Sequence, residues 1–318
     1  MRNYLYDAQL IKSTKFSTPT IVVGNLSVGG TGKTPQIEYL IRLLQNNYKV
    51  AVLSRGYKRK TKGFIIAKEG ETAESIGDEP FQYYQKFSSI IVGVDENRTR
   101  GIHQLEQLDN PPEIILLDDA FQHRKVIGGL NILLTPYNDL YVDDFMLPTG
   151  NLREHKSGSK RASIIIVTKC PNEISEKERG IIAAKLELKA NQTIFFTSIS
   201  YDMKLKGTSE INLSEFENEE LVLVTGIANP TPLTNYLKSK NIRLKHLKYP
   251  DHYHFKEQDI VAINEEVKLL TNKKIVLTTE KDYVRIFADL PNLWYISIET
   301  KFVVHKANFD KLIKKYVE

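Results

Sequence analysis

A glycine-rich loop between an apolar strand and an amphipathic helix constrains the fold of this chain more than any other feature. The segment 20–24 (TIVVG) is rich in β-branched residues and predicts a strand. The apolar residues Ile37, Leu40 and Leu44 follow the loop on one face of a predicted helix. The predicted phosphate-binding residues of the loop are Ser27, Val28, Gly29, Gly30, Thr31, Gly32, Lys33 and Thr34. Glycines let backbone N–H groups converge on phosphate at a helix N-terminus, so the loop predicts a nucleotide site in an α/β fold.

The chemistry of the loop also points to a bound metal. Lys33 can reach the β- and γ-phosphates, and Thr34 can place its hydroxyl on Mg²⁺. The usual pattern, GxxxxGK[ST], begins with a glycine, and Ser27 stands at that position. The strand–loop–helix context nevertheless favours phosphate binding over a glycine-rich turn that binds nothing.

Further apolar runs alternate with segments of helical period. Strands are predicted over 50–53, 90–94, 113–117, 131–134 and 163–168. Their mostly uninterrupted apolar character is typical of strands that are covered on both faces, as in a parallel sheet flanked by helices.

A second series of strands and helices begins near Leu221, after a polar segment of weak periodicity. We therefore predict a nucleotide-binding core over 1–203, a linker over 204–219 and a smaller C-terminal α/β domain over 220–318.

Composition excludes several classes of protein. The 318 residues are 41% hydrophobic and 26% charged, which is typical of a globular chain. The net charge of +5 is too small to indicate a nucleic-acid partner, although it suits an acidic substrate or an anionic lipid surface. The lone Cys170 excludes a disulfide framework, and no apolar run approaches the roughly 20 residues of a membrane span. These features predict a soluble cytoplasmic protein.

Two adjacent carboxylates follow the apolar run 114–117. Asp118 and Asp119 stand where P-loop enzymes carry a metal-binding acidic group, and strand ends of this kind open beside the phosphate loop. Neighbouring side chains of an extended chain point to opposite sides, so one carboxylate is predicted to face Mg²⁺ and the other a different partner. A polar turn without a metal is the alternative.

Seven short motifs carry a family resemblance. They are GNLSVGGTGKTP (24–35), SRGY (54–57), GDEP (77–80), DDAFQHR (118–124), LRE (152–154), PDH (250–252) and TTEKD (278–282). In this order they resemble the tetraacyldisaccharide 4'-kinase family, the lipid A kinases of Gram-negative bacteria, over about residues 16–285. The loop of that family also lacks the first glycine, so Ser27 is no departure from it.

The resemblance implies a P-loop NTPase-like fold, with a mostly parallel sheet flanked by helices and a smaller C-terminal α/β domain that closes a cleft. It implies that ATP, with Mg²⁺, donates its γ-phosphoryl group to the 4'-hydroxyl of a tetraacylated glucosamine disaccharide 1-phosphate. The product would be lipid IVA, an intermediate of lipid A biosynthesis.

The resemblance also implies a catalytic pair. Asp78 matches the aspartate that acts as the base for the 4'-hydroxyl, and His252 matches the histidine thought to pair with it. The residues alone leave other interpretations open. Asp78 before Glu-Pro is also a good helix N-cap, and His252 could be an ordinary loop histidine or, with His254, a metal ligand.

Arg153 and Glu154 match an Arg-Glu pair of the family. Arg153 would stabilise charge on the transferring phosphoryl group, and Glu154 would complete the Mg²⁺ shell. An exposed ion pair is the alternative. The predicted metal ligands are Thr34, Asp118, Asp119 and Glu154.

The side of the site that receives the acceptor is predicted from two other motifs. Its candidate contacts to acceptor or phosphate are Arg55, Tyr57, Gln122 and His123. Arg55 could hold the 1-phosphate of the acceptor, and the basic cluster 58–60 could attract anionic lipid head groups. A solvated basic turn is the alternative.

Membrane contact is expected from the lipid acceptor. Family members usually begin with an apolar helix that is thought to sit on the inner membrane, and RNYLYD after Met1 resembles the end of that helix. We expect a peripheral monomer on the cytoplasmic side, with anchoring weaker than in the family or a trimmed sequence.

Two other functions share the glycine loop. One is a P-loop kinase or ligase with a soluble acceptor, which would leave Asp78, Arg153 and His252 without a shared role. The other is an ATP switch of the ParA/MinD kind, whose second lysine early in the loop is absent from SVGGT (27–31).

Overall fold

The computed structural model describes residues 2–207, 209–251, 253–286, 290 and 292–318. The elements up to residue 201 are α1 (Arg2–Asp7), β1 (Thr20–Asn25), α2 (Lys33–Leu44), β2 (Val50–Ser54), β3 (Ile65–Ile66), α3 (Ala73–Ile76), α4 (Asp78–Lys86), β4 (Ile91–Val94), α5 (Arg98–Glu106), β5 (Ile114–Asp118), β6 (Leu130–Pro136), β7 (Ile164–Thr168), α6 (Glu176–Lys185) and β8 (Thr193–Tyr201). The later elements are β9 (Lys204–Gly207), β10 (Ile211–Asn212), β11 (Glu220–Thr225), α7 (Thr231–Ser239), β12 (Arg243–Lys248), α8 (Glu257–Lys268), β13 (Val276–Thr279), α9 (Glu280–Tyr283), β14 (Leu293–Ile296), β15 (Ile298–Phe302) and α10 (Lys306–Val317).

The chain forms two compact units. The first contains Met1–Ile199 and Glu299–Glu318, and the second contains Ser200–Ile298. In the described residues of the first unit, nine strands form a sheet in the order β15-β8-β7-β6-β1-β5-β2-β4-β3. The strands from β8 to β4 in this order pair in parallel, and β3 is antiparallel to β4.

The register of β1 places its loop beside the predicted acidic pair. Val23 lies opposite Asp118 of β5 and Ile132 of β6. Parallel strands end at the same edge of a sheet, so the segments that follow β1, β5, β2 and β7 all begin at this edge.

Helices cover both faces of this sheet, as the apolar runs predict. Ile21 packs on one face with Ile37 of α2, and Val22 packs on the other face with Ile102 of α5. Side chains that alternate along a strand point to opposite faces, and both sets are buried here. The predicted α/β fold with a mostly parallel sheet is therefore confirmed.

In the second unit, the described residues form a six-stranded sheet in the order β10-β9-β14-β13-β11-β12. The strands β12, β11, β13 and β14 are parallel, and β9 and β10 form an antiparallel edge.

The predicted linker over 204–219 is wrong. This segment contains β9, β10 and a 3₁₀ helix over Leu213–Phe216, all within the second unit. Leu205, Leu213 and Phe216 are buried in the core of that unit. Isolated apolar residues in a polar edge segment give no clear period, although each can fill a core position.

The C-terminal boundary also differs from the prediction, because residues 299–318 belong to the first unit. Phe302, Phe309 and Ile313 pack in the same cluster as Ile37 of α2. The hydroxyl of Tyr316 donates to the carbonyl of Thr20 at 3.0 Å. The helical period of this segment predicts an amphipathic helix but does not indicate which core it covers.

None of the helices in the described part of the chain has the length and apolar character needed to cross a bilayer.

Candidate functional site

The glycine loop connects β1 to α2 in the shape that anion binding requires. Gly29 and Gly32 adopt left-handed backbone angles, with φ of 97° and 91°. Gly32 is the N-cap of α2, and as a glycine it provides no side-chain cap for that helix end. The N-terminal N–H groups of α2, with the positive end of its dipole, are thus available to an anion.

The start of the loop is held by neighbouring backbone. Ser27 forms a β-bridge with Leu152, and the N–H of Val28 donates to the carbonyl of Asn151 at 2.8 Å. These bonds join the loop to the segment that carries Arg153 and Glu154. The LRE motif therefore lies beside the phosphate loop although about 120 residues separate them in sequence.

Asn25, the last residue of β1, orders the cations of the site. Its side chain is fully buried, and its Nδ2 donates to the carbonyl of Ser27 at 2.7 Å. Its Oδ1 accepts from the Nζ of Lys33 at 3.3 Å and from the Nη2 of Arg153. One amide therefore brings the loop lysine and the distant arginine together.

Asp119 is the anionic partner of the same two cations. Both of its carboxylate oxygens accept from Arg153, at 2.8 and 3.0 Å, and one lies 3.7 Å from the Nζ of Lys33. Burial raises the pKa of Asp119, but Arg153 and Lys33 outweigh it and leave the pKa below its ordinary value. The φ of Asp119 is 47°, which turns the chain away from the direction of β5 and redirects this carboxylate.

Asp118 points into a different environment. Its side chain is buried, and the hydroxyl of Ser54 donates to its Oδ2 at 3.2 Å. Burial, with the charges of Asp119 and Glu79, raises the pKa of Asp118 to about 7. The two carboxylates therefore face different partners and differ in their ease of ionisation.

Glu154 holds cationic and amide groups. Its carboxylate accepts from the Nη2 of Arg161 at 2.8 and 2.9 Å, and from Asn3 at 2.6 Å. The Nε2 of Gln122 bridges Glu154, at 2.9 Å, and the carbonyl of Asn25, at 2.7 Å. Gln122 thus links the Arg-Glu segment to β1.

The predicted carboxylate ligands of the metal do not form one cluster. In the part of the chain that the structure describes, no three His, Cys, Asp or Glu side chains form a group suited to a metal ion. Among the described residues a metal site here would therefore use fewer than three such side chains, together with the Thr34 hydroxyl and the phosphates.

Asp78 is the first residue of α4 and is half-buried. The predicted N-cap role is wrong in position, because Gly77, with φ of 98°, occupies the N-cap. The next residue, Glu79, lies close enough to Asp118 to raise its pKa. The hydroxyl side of Tyr83, one turn on, faces Thr34 and Asp118, which both act on its pKa. The first turns of α4 therefore border the loop and the acidic pair.

The SRGY loop packs against the start of α4. A Cβ on Gly77 would lie 3.0 Å from the Cα of Gly56, so a larger residue would collide with the loop backbone. Arg55 and Tyr57 on either side of Gly56 are exposed. Their side chains are thus accessible at the edge of the site.

His123 lines a cavity beyond the acidic pair. The cavity has a volume of about 210 Å³ and is also lined by the arginines Arg98, Arg124 and Arg161, and the lining residues do not include 27–34. His252 lies outside the described residues.

Sequence reasoning missed Asn25, Ser54 and Arg98. Arg98 is buried under Asp118, where its Nη2 donates to the Asp118 carbonyl at 3.4 Å, and burial lowers its pKa to about 10. Each of the three residues ends or follows a strand at the loop edge of the sheet, and that position was the available signal.

A parallel sheet with a phosphate loop after one strand and a buried aspartate at the end of its neighbour is the arrangement of the P-loop NTPase class. The comparisons with known proteins identify the member. A family model described as tetraacyldisaccharide-1-P 4'-kinase matches residues 1–318. The chain therefore belongs to the tetraacyldisaccharide-1-P 4'-kinase family and is a kinase.

Its relatives match over nearly their whole length. A tetraacyldisaccharide 4'-kinase of Flavobacterium johnsoniae is 52% identical over 321 residues, which cover 100% of this chain and 93% of that protein. The enzyme of the same name from Flavobacterium psychrophilum is 53% identical over 323 residues, covering 100% and 92%. The crystal structure of Aquifex aeolicus LpxK, described as an "apo" form in complex with ATP, has a TM-score of 0.78 at 31% identity and covers 100% of this chain and 94% of that one.

Proposed function

We propose that this kinase transfers the γ-phosphoryl group of ATP to the 4'-hydroxyl of a tetraacyldisaccharide 1-phosphate and yields lipid IVA for lipid A biosynthesis. The observation that carries the proposal is the network in which Asn25 and Asp119 hold Lys33 and Arg153 together at the phosphate loop. Two cations beside a helix N-terminus suit a triphosphate, and family membership supplies the acceptor.

ATP is the proposed nucleotide because the solved LpxK of Aquifex aeolicus was crystallised with it. Its β- and γ-phosphates would accept from the N–H groups at the start of α2 and from Lys33. Arg153 would then contact the γ-phosphoryl oxygens. Phosphoryl transfer depends mainly on positioning and on neutralising charge, and this arrangement supplies both.

The donor set fits Mg²⁺ at the phosphates, with Thr34 and Asp118 as the protein ligands. Asp118 is a buried carboxylate next to the helix that carries Thr34; burial, with the charges of Asp119 and Glu79, outweighs Lys33 and Arg98 and raises its pKa to about 7. Asp119 and Glu154 are better suited to hold Arg153 and Arg161. Bound Mg²⁺ would neutralise charge on the β- and γ-phosphates.

Asp78 is the proposed base for the acceptor hydroxyl. Asp78 begins α4, whose first turns border the loop and the acidic pair, and its carboxylate can accept the 4'-hydroxyl proton as the phosphoryl group transfers. His252 is proposed to orient this carboxylate, as the family resemblance implies.

The exposed Arg55 and Tyr57 are proposed to receive the sugar phosphate head of the acceptor, because their loop packs against the start of α4. His123 is a second candidate for an anionic part of the acceptor, since three arginines share its cavity. Four acyl chains keep the acceptor in a lipid phase, so the enzyme is proposed to work at a membrane surface. It is proposed to do so as a monomer.

The test is direct. Purified protein is incubated with Mg·ATP and a detergent-dispersed tetraacyldisaccharide 1-phosphate, and the lipid is examined by mass spectrometry. The proposal predicts a gain of one phosphate that fragmentation maps to the distal sugar. Lys177→Ala, which removes a lysine from the exposed face of α6, should behave as wild type. ATP binding without any gain in lipid mass, under conditions where a known family member reacts, would refute the acceptor assignment.

A further inference from the structure

The end of β7 holds the outer side of the phosphate loop. The Thr168 hydroxyl donates to the carbonyl of Thr31 at 2.8 Å, and the Lys169 ammonium donates to the carbonyl of Gly30. Lys169 reaches this position because its backbone is left-handed, with φ of 57°. Two successive residues of one strand end therefore contact two successive carbonyls of the loop.

The contact from Thr168 sets the direction of a loop N–H. The carbonyl and N–H of a trans peptide point to opposite sides, so a Thr31 carbonyl fixed on Thr168 turns the Gly32 N–H the other way. Gly32 is the N-cap of α2, where N–H groups face an anion.

The contact from Lys169 adds charge to the same place. The side chain lies within 3.9 Å of a Cβ built on Gly30, so its ammonium is against the loop itself. An ammonium has three N–H donors, and the Gly30 carbonyl takes one of them. Burial lowers the pKa of Lys169; Asp139 opposes this change, and the positive charge of Lys33 adds to it. The charges of both lysines therefore act at this loop, and a bound anion would relieve their repulsion.

We propose that Lys169 is a second phosphate-binding lysine of this site, delivered from β7, and that it contacts the polyphosphate of ATP while Thr168 orients the loop. The inference rests on the proposed use of ATP. The loop sequence SVGGT carries no lysine before Lys33, and Lys169 supplies a second lysine at this loop from elsewhere in the chain.

The proposal is tested by nucleotide binding in the absence of any lipid. Isothermal titration calorimetry with ATP, ADP and AMP compares wild type with Lys169→Met, which keeps the length of the stem without its charge. We expect ATP affinity to fall about 10-fold, as for the loss of a charge-assisted hydrogen bond, and AMP affinity to change less than about 2-fold. Lys169→Arg should recover ATP affinity to within about 3-fold of wild type. Lys177→Met, the matched control, should bind ATP as wild type does.

Three results would overturn the proposal. The first is wild-type ATP affinity in Lys169→Met. The second is a loss of equal size for AMP and ATP, which would indicate that Lys169 acts away from the β- and γ-phosphates. The third is a loss that Lys169→Arg does not rescue and that accompanies a lower thermal midpoint, which would indicate a structural role.

Steady-state kinetics in the lipid assay provides a second test, through KM and kcat. Lys169→Met should raise KM for ATP while kcat stays within about 2-fold, because uniform binding is lost. Thr168→Val, with Thr168→Ser as its control, should instead lower kcat as well, because the loop loses its orientation. If the wild-type protein binds ATP but phosphorylates no lipid, the proposed acceptor fails and the assignment of Lys169 is still decided by the binding data.

Discussion

Two segments of this chain share the order strand, loop, helix but differ in the contacts that their loops make. β1 leads through the glycine loop to α2, and β11 leads through 226–230 (GIANP) to α7. In neither segment does the N-cap residue, Gly32 or Pro230, make a side-chain cap hydrogen bond. In the second, the N–H of Gly226 donates to the Oδ2 of Asp282 at 2.8 Å, and that carboxylate is fully buried. A glycine after a buried strand therefore does not define an anion site, because the protein's own carboxylate can occupy the place of the anion.

The comparison also explains the TTEKD motif. Thr279 is the N-cap of α9, and its hydroxyl donates to the Oδ2 of Asp282 at 2.8 Å. Arg285 lies 3.3 Å from the other oxygen of the same carboxylate. The motif therefore forms a network of hydrogen bonds and an ion pair within the protein, at the end of β11.

We expect the largest effect on activity from replacing Lys33, because this residue distinguishes the two loops most clearly. The GIANP loop has no lysine, so Lys33→Ala makes the first loop resemble the second in charge. Transfer to the lipid should fall by about 10²–10³-fold or more, as for other residues that stabilise developing charge. The thermal midpoint should stay near that of wild type, because Lys33 is a surface-accessible member of the network. Turnover near the wild-type rate, measured by lipid mass spectrometry, would contradict the phosphate-loop assignment.

Asp78→Asn tests the proposed base separately from nucleotide binding. The amide keeps the shape of the side chain but cannot accept the proton. We expect kcat to fall by about 10²–10⁴-fold with ATP affinity within about 2-fold of wild type. Rapid-quench kinetics and calorimetry measure the two quantities. A variant with a normal kcat and a lower thermal midpoint would assign Asp78 a purely structural role.

Asp118→Asn tests the pH dependence that burial predicts. The pKa of Asp118 is about 7 in the folded protein and about 4 in an unfolded chain. Between these values the folded state binds more protons, so the free energy of unfolding falls as pH rises from about 4 to 7. In metal-free protein the asparagine variant should therefore be more stable than wild type at pH 8, by about 1–3 kcal/mol. It should also lose Mg²⁺-dependent transfer.

Urea unfolding in EDTA from pH 5 to pH 8 measures this difference. The wild-type curve should decline more steeply with pH than that of the variant. Parallel curves would show that Asp118 ionises normally in the fold.

Asp282→Ala should give the smallest functional effect. It removes the acceptor of Gly226 and Thr279, and the loss of buried hydrogen bonds should lower the free energy of unfolding by about 1–3 kcal/mol. ATP affinity should remain at the wild-type value, because the second loop binds no phosphate. A large loss of ATP affinity in protein that is still folded would mean that the β11 loop takes part in nucleotide binding.

The local part of the site could be predicted from the sequence. Loop, helix and acidic pair follow from residues close in the chain, where glycine conformation and strand ends set the geometry. The roles of Asn25, Gln122 and Glu154 could not, because they depend on distant partners: Arg153 lies 128 residues from Asn25, and Gln122 lies 32 residues from Glu154. The backbone turn at Asp119 decides which of the two carboxylates contacts a cation. No sequence pattern predicts that turn.

The fold shows the same division. The strands of the first sheet are continuous apolar runs, and their order of appearance predicts a parallel sheet. The return of α10 to the first unit depends on contacts such as that of Tyr316 with Thr20, almost 300 residues apart. Amphipathic period identifies such a helix and leaves its docking surface open.

The most direct test of the account is a crystal structure with Mn²⁺ and a non-hydrolysable ATP analogue, in which anomalous scattering locates the metal. The account predicts the β- and γ-phosphates on the N–H groups that precede Thr34, Lys33 and Lys169 against them, and Mn²⁺ bound by Thr34 and Asp118. A metal held by Asp119 or Glu154, or a nucleotide seated on the β11–α7 loop, would contradict it.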